Sequence, residues 1–312
     1  MSKMQKAWFY NEYGSSNVLQ FGDLPVPTAG PEEILVKVRA AALNPADFKL
    51  RAGAFPHNKF PVVPGCDVCG VVEEVGEGVT KFKKGDEVYC NIQLVIAGRP
   101  KPSAGTLAQY TVVEQHLVAH KPNNLSSEEA ASLPVALLTG QEAFDMVNFE
   151  RGQSVFVVGG AGGVGSVAIQ LAKHVYGASR IVSNASTGKL EFVKSLGADL
   201  VVDYTKQSYD QVPEKFDFVF DTIGDSFKSY VLAKEEAPII DIAKLEPHPR
   251  AKYFFVTSLG SHLDRFREYL ESGKVKAVID PKSPYSFSEV LEAFKHLESG
   301  RARGKIVISP IE

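Results

Sequence analysis

The sequence predicts an α/β protein in which an all-β unit is followed by a doubly wound parallel sheet. Three observations support this fold class. Residues 1–122 contain short apolar segments separated by turns rich in glycine and proline. From Ser154 onward, apolar segments of strand length alternate with segments of helical spacing, and the first alternation encloses a cluster of glycines. Regular short strands indicate a barrel, whereas alternation indicates parallel strands joined by right-handed crossovers.

The all-β unit is predicted from apolar runs of strand length, with turn sequences such as Lys84-Gly-Asp86 between them. The predicted strands are 6–10, 34–43, 68–75, 87–92 and 108–113. This unit is expected to span residues 1–122. At Ser126 the character changes, because Ser126-Ser-Glu-Glu129 places acidic residues in the first turn of a helix.

The parallel-sheet unit is expected at residues 123–275, with a helix near 138–149 ahead of the sheet. Its predicted strands are 154–159, 180–183, 200–204, 216–222, 238–242 and 253–257. The later helices are predicted near 164–175, 187–196, 226–235 and 261–272. Residues 276–312 form a last segment with a helix at 288–299 and a strand at 304–309, which is expected to return to the all-β unit.

Residues 154–165 read SVFVVGGAGGVG, which is an apolar strand leading into a glycine-rich turn. The residues that follow, 166–174, have helical apolar spacing. In a strand–turn–helix of this kind the glycines allow the turn, the approach of a pyrophosphate and close packing of the helix. The helix N-terminus then offers free N–H groups to the phosphates. An ordinary glycine turn is the alternative. We predict dinucleotide binding by Gly160, Gly162, Gly163, Val164 and Gly165.

The residues after the next strand favour NADPH over NADH. An NAD site usually ends this strand with an acid that binds the ribose 2′-hydroxyl. Here residues 184–189 read NASTGK, and no acid occurs before Glu191. Hydroxyl groups and a lysine suit a 2′-phosphate, so the candidate cofactor-binding residues are Asn184, Ser186, Lys189 and Tyr204. The alternatives are that Lys189 is a solvated lysine opening a helix and that Tyr204 caps the sheet edge.

The composition argues against several classes of partner. The chain has 312 residues, of which 44% are hydrophobic, and a net charge of −3. This charge is too near zero to predict nucleic acid or an anionic membrane as a partner. No apolar run approaches the roughly 20 residues of a membrane span. The N-terminal residues, MSKMQKAWFY, show no signal-peptide pattern. We expect a cytoplasmic location, or a plastid one if a transit peptide has been removed.

The chain has three cysteines, an odd count that argues against a disulfide framework. Cys66-x-x-Cys69 superficially resembles half of a zinc site or a redox motif. A tetrahedral zinc needs four ligands, and no second CxxC or HxxxH follows. A redox CxxC would open a helix, whereas this one lies in strand-like sequence. We predict two small buried residues and no metal.

Several motifs together resemble the medium-chain dehydrogenase/reductase superfamily: Lys84-Gly-Asp86-Glu-Val, GGAGGVG and Gly304-Lys-Ile-Val-Ile308. Three others are similar to its zinc-independent quinone oxidoreductase branch: Leu43-Asn-Pro-Ala-Asp47, Pro64-Gly65-x-Asp67 and Ser186-Thr-Gly-Lys189. Two more resemble plant enone oxidoreductases and alkenal/one reductases: residues 270–276, LESGKVK, and 283–287, SPYSF. The resemblance implies a GroES-like barrel domain for substrate and catalysis and a Rossmann domain for NADPH.

The resemblance also implies the reaction, which is reduction of the activated C=C bond of α,β-unsaturated carbonyl compounds, or of quinones, by NADPH. Zinc-dependent members carry a Cys and a His-Glu pair where this chain has Asn44 and Cys66-Asp67. Chemistry without a metal is therefore expected. Asn44 would lie beside the nicotinamide ribose, and Lys49 would stabilise the enolate oxygen or relay a proton. The alternative is that Asp47, Lys49 and Arg51 form a solvated ion-pair surface. Tyr89 is another donor candidate, with packing as its alternative.

Thr139 resembles the threonine that contacts the cofactor in the family, and Val256 and Thr257 would lie near the carboxamide. Ile223 follows the strand predicted at 216–222, at the carboxyl edge where doubly wound sheets bind ligands. Phe55 and Phe60 would line an apolar cleft for a small carbonyl substrate, or pack in the core. A homodimer is expected, with residues 252–257 as a strand that pairs across a two-fold axis or lies buried in the sheet.

Two departures from the family pattern leave other functions open. Pro238 stands where a Gly-Gly pair usually precedes a strand, and Asp241 would place a negative charge close to the nicotinamide. These changes allow a recruited enzyme of specialised metabolism, either a reductase or a cyclase. An NADPH-binding protein with little turnover is the other alternative.

Overall fold

The computed structural model describes residues 3–54, 56, 59–92, 95–96, 99–100 and 105–312. In chain order its strands are β1 (Met4–Phe9), β2 (Gln20–Pro25), β3 (Glu33–Leu43), β4 (Asp67–Val75), β5 (Glu87–Asn91), β6 (Val95–Ile96), β7 (Arg99–Pro100), β8 (Tyr110–Glu114), β9 (Val118–His120), β10 (Ser154–Val158), β11 (Arg180–Ala185), β12 (Leu200–Asp203), β13 (Phe218–Asp221), β14 (Ile239–Asp241), β15 (Ala251–Lys252) and β16 (Ile306–Ile308).

The α-helices are α1 (Pro45–Arg51), α2 (Ser127–Ala131), α3 (Pro134–Met146), α4 (Gly163–Leu171), α5 (Leu190–Ser195), α6 (Ser226–Ser229), α7 (Gly260–Asp264), α8 (Arg267–Glu271) and α9 (Val290–Glu298). The start of α2 shows how local sequence fixes an end. The Ser126 hydroxyl accepts the Glu129 N–H at 3.1 Å, and the Glu129 carboxylate accepts the Ser126 N–H at 2.9 Å. This reciprocal capping satisfies two N–H groups that the first turn leaves unpaired.

The chain divides into two compact units. Unit 1 comprises Met1–Val135, Ser258–Glu271 and Ile279–Glu312, and unit 2 comprises Ala136–Thr257 and Ser272–Val278. The boundaries expected from the sequence, after residues 122 and 275, stay predictions. Among the described residues, no helix has both the length and the apolar character needed to traverse a lipid bilayer.

Unit 1 is built on an antiparallel sheet in the order β16-β3-β4-β5-β9, with β8 also paired to β3. The return of the last strand to this unit is confirmed, because β16 pairs antiparallel with β3 and aligns Ile306 with Leu43. The core of the unit contains apolar side chains of this sheet, and the Trp8 indole donates to the Phe287 carbonyl at 2.7 Å. Strand β3 thus pairs with β4, β8 and β16, which brings distant parts of the chain together.

Unit 2 contains a parallel sheet in the order β12-β11-β10-β13-β14-β15. This is the doubly wound order, in which the chain runs outward in one direction from β10 and then in the other. The predicted fold class is confirmed. The central strands are buried, with Phe156, Phe218 and Phe220 at 0% exposure. Apolar runs in the sequence therefore located them within one or two residues.

The strand predicted at 253–257 is wrong. Pairing with β14 ends at Lys252, so β15 is only two residues long. Beyond it the Thr257 N–H donates to the Glu142 carboxylate at 2.7 Å instead of to a strand, and Phe255 is 39% exposed. An apolar run was present, but this segment does not continue the ladder of backbone hydrogen bonds, which is what makes a strand.

Candidate active site

The glycine loop, residues 159–165, joins β10 to α4 at the carboxyl edge of the parallel sheet. The Gly162 N–H donates to the Gly159 carbonyl at 3.0 Å, which closes the turn. A Cβ on Gly165 would lie 2.2 Å from the Gly159 carbonyl oxygen, so only glycine allows α4 to pack this closely. Helix α4 begins without a side-chain cap, and its first N–H groups are the type of site that binds phosphate.

Gly162 differs from Gly165, because no contact with the residues that the structure describes requires it to be glycine. Its backbone lies at φ −81° and ψ 176°, which any residue adopts. A Cβ there would meet only the Gly159 carbonyl oxygen, at an ordinary 3.4 Å. The space beside Gly162 is therefore available to a ligand. The loop fits the pyrophosphate of a dinucleotide, and Gly160, Gly163, Val164 and the two glycines above would hold it.

Four residues at the carboxyl ends of β11 and β12 form what we call the adenosine-side set: Ser186, Thr187, Lys189 and Tyr204. The Tyr204 N–H donates to the Ala185 carbonyl at 3.2 Å, and Lys189 closes the turn through its N–H to the Ser186 carbonyl at 2.8 Å. The Tyr204 side chain is 57% exposed. The backbone thus places Ser186, Lys189 and Tyr204 at the adjoining ends of two paired strands, and their binding of a 2′-phosphate stays a prediction.

Asp203 is an acid beside this set that the sequence analysis did not weigh. Its carboxylate accepts hydrogen bonds from the hydroxyls of Thr187 and Thr205, each at 2.6 Å. These bonds lower the pKa of Asp203 to about 2, so the group is charged at neutral pH. Lys206 lies 3.6 Å away and offsets part of that charge. The acid is therefore engaged by neighbouring side chains.

Asn184 has a structural position. Its side chain is 2% exposed, and its Oδ1 accepts the Gly159 N–H at 2.7 Å. Its Nδ2 donates to the Tyr209 hydroxyl at 3.0 Å. Asn184 therefore ties the end of β11 to the start of the glycine loop. Its contact with cofactor stays a prediction.

The other predicted cofactor residues of unit 2 lie apart from the glycine loop in sequence. Ile223 follows β13 and is 55% exposed, in a turn that the Asp221 carboxylate holds by accepting its N–H at 3.0 Å. Thr139 is buried within α3. Val256 is partly exposed, whereas the N–H of Thr257 is already used by Glu142. Direct binding by these four residues stays a prediction.

In unit 1 the candidate Asn44 belongs to a buried polar cluster, defined here as Asn44, Asp47, Cys66, Asp67 and Lys305. The Lys305 ammonium lies 2.9 Å from Asp67 Oδ2 and also donates to Asn44 Oδ1. The Asn44 Nδ2 donates to Asp67 Oδ2 at 3.0 Å and lies 3.3 Å from Cys66 Sγ. The ammonium and the carboxylate together fix which way the Asn44 amide faces, since its oxygen needs a donor and its nitrogen an acceptor.

Burial controls the ionisation of this cluster. Lys305 is 5% exposed and Asp67 is 0% exposed. Burial raises the pKa of Asp67, and the positive charge of Lys305 opposes that rise. Burial also raises the pKa of the Cys66 thiol well above its ordinary value. The cluster therefore sets the Lys305 nitrogen at ion-pair distance from the Asp67 carboxyl group, beside a thiol that burial keeps neutral.

Lys305 is a member of the polar cluster that was not among the candidates from the sequence, although it lies in the motif Gly304-Lys-Ile-Val-Ile308. Continuing the pairing of Ile306 with Leu43 by one residue places Lys305 opposite Asn44. In the same way Asp67 pairs across from Ala42 on the other side of β3. The sequence already predicted that the last strand returns to the all-β unit. Working out the register of that pairing would have placed Lys305 beside Asn44.

The remaining candidates of unit 1 have mixed outcomes. The solvated surface considered for Asp47 and Arg51 is wrong, because both side chains are buried and Arg51 pairs with Glu298 at 2.5 Å. Lys49 is partly exposed in the last turn of α1, and its catalytic role stays a prediction. Tyr89 is buried at 1% exposure, which matches its packing alternative. Phe60 is 37% exposed, and Phe55 lies outside the described residues.

Comparison with known proteins identifies the family. Residues 30–123 match the alcohol dehydrogenase GroES-like domain, and residues 196–308 match the zinc-binding dehydrogenase family. The chain is 50% identical over 309 residues to a Solanum lycopersicum protein named 2-methylene-furan-3-one reductase, covering 98% of this chain and 79% of that protein. The chain belongs to the medium-chain dehydrogenase/reductase superfamily. This result and the glycine loop support a nicotinamide dinucleotide as its cofactor.

Two further comparisons place the chain within the superfamily. It is 47% identical to an Arabidopsis thaliana protein named NADPH-dependent alkenal/one oxidoreductase, covering 99% of this chain and 80% of that protein. Its fold is similar to the solved structure of a quinone oxidoreductase from Coxiella burnetii, with a TM-score of 0.89, 30% identity, and coverage of 98% and 99% of the two chains. The resemblance to enone and quinone oxidoreductases is confirmed.

The zinc implied by the superfamily does not fit the residues present. An ammonium group, Lys305, lies against the carboxylate and amide that would face the metal, and the Cys66 thiol is neutral. Within the described part of the chain, no three His, Cys, Asp or Glu side chains are grouped as metal ligands. A zinc site needs deprotonated ligands and three or four of them. The metal-free mechanism stays a prediction, and no step is derived through a metal.

Stability is expected to depend on pH through Asp47. Burial raises the pKa of Asp47 from 3.8 to about 7, so the folded protein keeps this proton at pH values where the unfolded chain loses it. The resulting stabilisation is present below about pH 4 and is lost as pH rises toward 7, by about 4 kcal/mol at most. In Asp47→Asn the amide still accepts the Asn44 N–H but cannot ionise. The free energy of unfolding of wild type minus variant is therefore expected to fall between pH 5 and 8, measured by urea denaturation.

The matched control for this prediction is Glu12→Gln, because Glu12 is exposed. Its difference from wild type is expected to stay flat over the same pH range. A flat difference for Asp47→Asn as well would mean that Asp47 is ionised at pH 5 in the folded protein.

Proposed function

We propose that the chain is an NADPH-dependent reductase of the activated C=C bond of α,β-unsaturated ketones and aldehydes, or of quinones. The observation that carries this proposal is the 50% identity, along almost the whole chain, to a protein named 2-methylene-furan-3-one reductase. The relative named NADPH-dependent alkenal/one oxidoreductase supports the same substrate class and the same cofactor.

The preference for NADPH over NADH rests on the adenosine-side set. The turn after β11 offers Ser186 and Lys189 and contains no acid, which suits a phosphate better than a ribose hydroxyl. Tyr204, which is exposed beside this turn, would cover the same group. The charged Asp203 carboxylate opposes a phosphate, and Lys206, which lies 3.6 Å from it, offsets part of that charge.

The proposed reaction makes two demands on the protein. NADPH, when bound, would supply a hydride to the β-carbon of the substrate, and negative charge would then develop on the carbonyl oxygen. Without a metal, that charge needs a cation or hydrogen-bond donors, and the α-carbon needs a proton. We propose that Lys49, which is partly exposed, supplies the cation. The buried Asn44 amide is already engaged by the polar cluster, so its role would be to shape the wall of the site.

One assay tests the function and its parts. NADPH oxidation at about 340 nm is followed with a 2-alkenal, a vinyl ketone, an exo-methylene ketone and a quinone, and each is repeated with NADH. We expect turnover of an enone or quinone with NADPH and little with NADH.

Lys189→Glu is expected to raise KM for NADPH about tenfold with a much smaller change for NADH. Lys49→Met is expected to lower kcat with little change in affinity for NADPH.

Lys194→Glu is the control for Lys189→Glu, because Lys194 is exposed near the end of α5, the helix that begins at the residue after Lys189. Its KM values are expected to match wild type. Equal effects of Lys189→Glu on both cofactors would remove Lys189 from phosphate recognition. If NADPH binds tightly but is not oxidised with any of the four substrates, the result would favour a recruited enzyme or a binding protein with little turnover.

Two further proposals concern the state of the protein. We propose a homodimer, for which the exposed Phe255 after β15 is a candidate contact, and light scattering would measure it. The cytoplasmic location also stays a proposal, and one relative is named as chloroplastic. Cell fractionation would separate the two locations.

A further inference from the structure

Two buried carboxylates lie side by side at the carboxyl edge of the parallel sheet. Asp221 ends β13 and Asp241 ends β14, and the register of these strands aligns the two residues directly. Both side chains are 0% exposed. Burial is the largest cause of a raised pKa of Asp221. The negative charge of Asp241 adds to this rise, because two neighbouring carboxylates repel each other.

The two carboxylates differ in how far the protein satisfies them. Asp221 Oδ1 accepts three backbone N–H groups, from Ile223, Gly224 and Asp225, at 2.9–3.2 Å. Its Oδ2 accepts the Ser229 hydroxyl at 2.7 Å. Asp241 Oδ1 accepts the N–H groups of Ala243 and Lys244, whereas Asp241 Oδ2 has no hydrogen-bond donor in the described residues. One of the two carboxylate oxygens of Asp241 is therefore buried without a hydrogen bond from the described residues.

Neither carboxylate forms an ion pair with a lysine, arginine or histidine among the residues that the structure describes. The backbone N–H of Lys244 donates to Asp241 at 3.1 Å, whereas its ammonium lies over the Phe227 ring, 4.4 Å from the ring centroid. A buried acid without a cationic partner is costly and is seldom kept without a role. A positive charge brought by a ligand would remove that cost.

The position of the pair indicates which ligand brings the charge. The glycine loop follows β10, and the adenosine-side set lies on its β11 and β12 side. A dinucleotide crosses the carboxyl edge at this switch point, so its nicotinamide end belongs on the β13 and β14 side. When a hydride leaves a dihydronicotinamide, the ring keeps one positive charge. The uncompensated charge therefore lies on the side where a positive charge forms.

We propose that Asp241, supported by Asp221, stabilises the oxidised nicotinamide electrostatically and so favours release of the hydride. This inference rests on the proposed function, because it needs NADPH as the hydride donor. Asp241 would act through the electric field of its carboxylate, so its buried side chain does not need to touch the ring. Its signature is a preference for NADP+ relative to NADPH, which an uncharged residue at this position would lose.

The test is the ratio of two dissociation constants, measured by calorimetric titration of the full chain with NADP+ and with NADPH. Asp241→Asn keeps an oxygen that can accept the N–H groups of the turn but removes the charge. We expect Kd for NADP+ to rise about tenfold while Kd for NADPH changes less than about twofold. Glu236→Gln is the control, because it removes the same charge from an exposed position at the amino end of β14, and both constants are expected to stay unchanged.

A merely structural role would give a different result, because a distorted site would weaken both cofactors by the same factor. That outcome, or no change in the ratio, overturns the inference. If Asp241→Asn does not fold, Asp241→Ser is measured instead, since its hydroxyl also caps the turn, and the same change in ratio is expected. If the wild type binds neither dinucleotide, the proposed function itself fails, which is distinguishable from an unchanged ratio in a protein that binds both.

Discussion

Lys305→Met is expected to lower the free energy of unfolding of unit 1 by about 3–5 kcal/mol. The substitution removes the cation that lies 2.9 Å from Asp67, whose side chain is 0% exposed. It also leaves the Asn44 amide oxygen without its charged donor. A buried carboxylate that loses its partner costs much more than the pair contributes, because the remaining charge cannot reach water.

The sequence supplies its own probe for this measurement. Trp8 is the one tryptophan of the chain, and it lies in β1 of unit 1 with its indole bound to the Phe287 carbonyl. Denaturant unfolding followed by its fluorescence therefore reports on the unit that contains the polar cluster. The control is Lys282→Met in the same unit, where the lysine is exposed and the change is expected to stay within about 0.5 kcal/mol.

A second substitution separates charge from packing. In Lys305→Met/Asp67→Asn both charges are absent, and the new amide still accepts the Val135 N–H that Asp67 Oδ1 accepts at 3.0 Å. We expect the double variant to be more stable than Lys305→Met alone, with a coupling of about 1–3 kcal/mol. Additive losses would mean that Lys305 acts through the packing of its methylenes and that the ion pair contributes little.

Local patterns account for what the sequence predicted well. The strands of unit 2 are continuous apolar runs because they are buried on both faces, so their positions follow from composition. The glycine loop is equally local, since all its residues lie within one turn of the chain. The strand predicted at 253–257 failed because its apolar run does not continue the pairing beyond Lys252.

The polar cluster shows where local patterns fail. Lys305 and Asn44 are 261 residues apart, and only the pairing of β16 with β3 brings them together. The sequence placed Asn44 in the site through family resemblance, but the buried network that occupies its amide depends on the register of three strands. The uncompensated state of Asp241 is similar, because burial and the absence of a donor are properties of the folded chain.

Gly162 lies immediately before α4, and Gly165 lies in the first turn of that helix. Changing each to alanine is expected to have opposite effects: Gly162→Ala should weaken cofactor binding, and Gly165→Ala should lower stability. In Gly162→Ala the new methyl group meets only the Gly159 carbonyl oxygen at 3.4 Å, so the free energy of unfolding should change by less than about 1 kcal/mol. The methyl group would nevertheless occupy the space through which a pyrophosphate approaches. We expect Kd for NADPH to rise about tenfold or more, measured by calorimetric titration.

In Gly165→Ala the methyl group would lie 2.2 Å from the Gly159 carbonyl oxygen and 3.0 Å from Gly160 Cα. These are backbone atoms that cannot rotate away, so α4 must move off the sheet, at a cost of about 3 kcal/mol. Thermal unfolding followed by circular dichroism would detect this loss in unit 2.

Tight NADPH binding by Gly162→Ala would show that the phosphates do not pass over Gly162. A stable Gly165→Ala protein would show that the helix packs less closely than its contacts indicate.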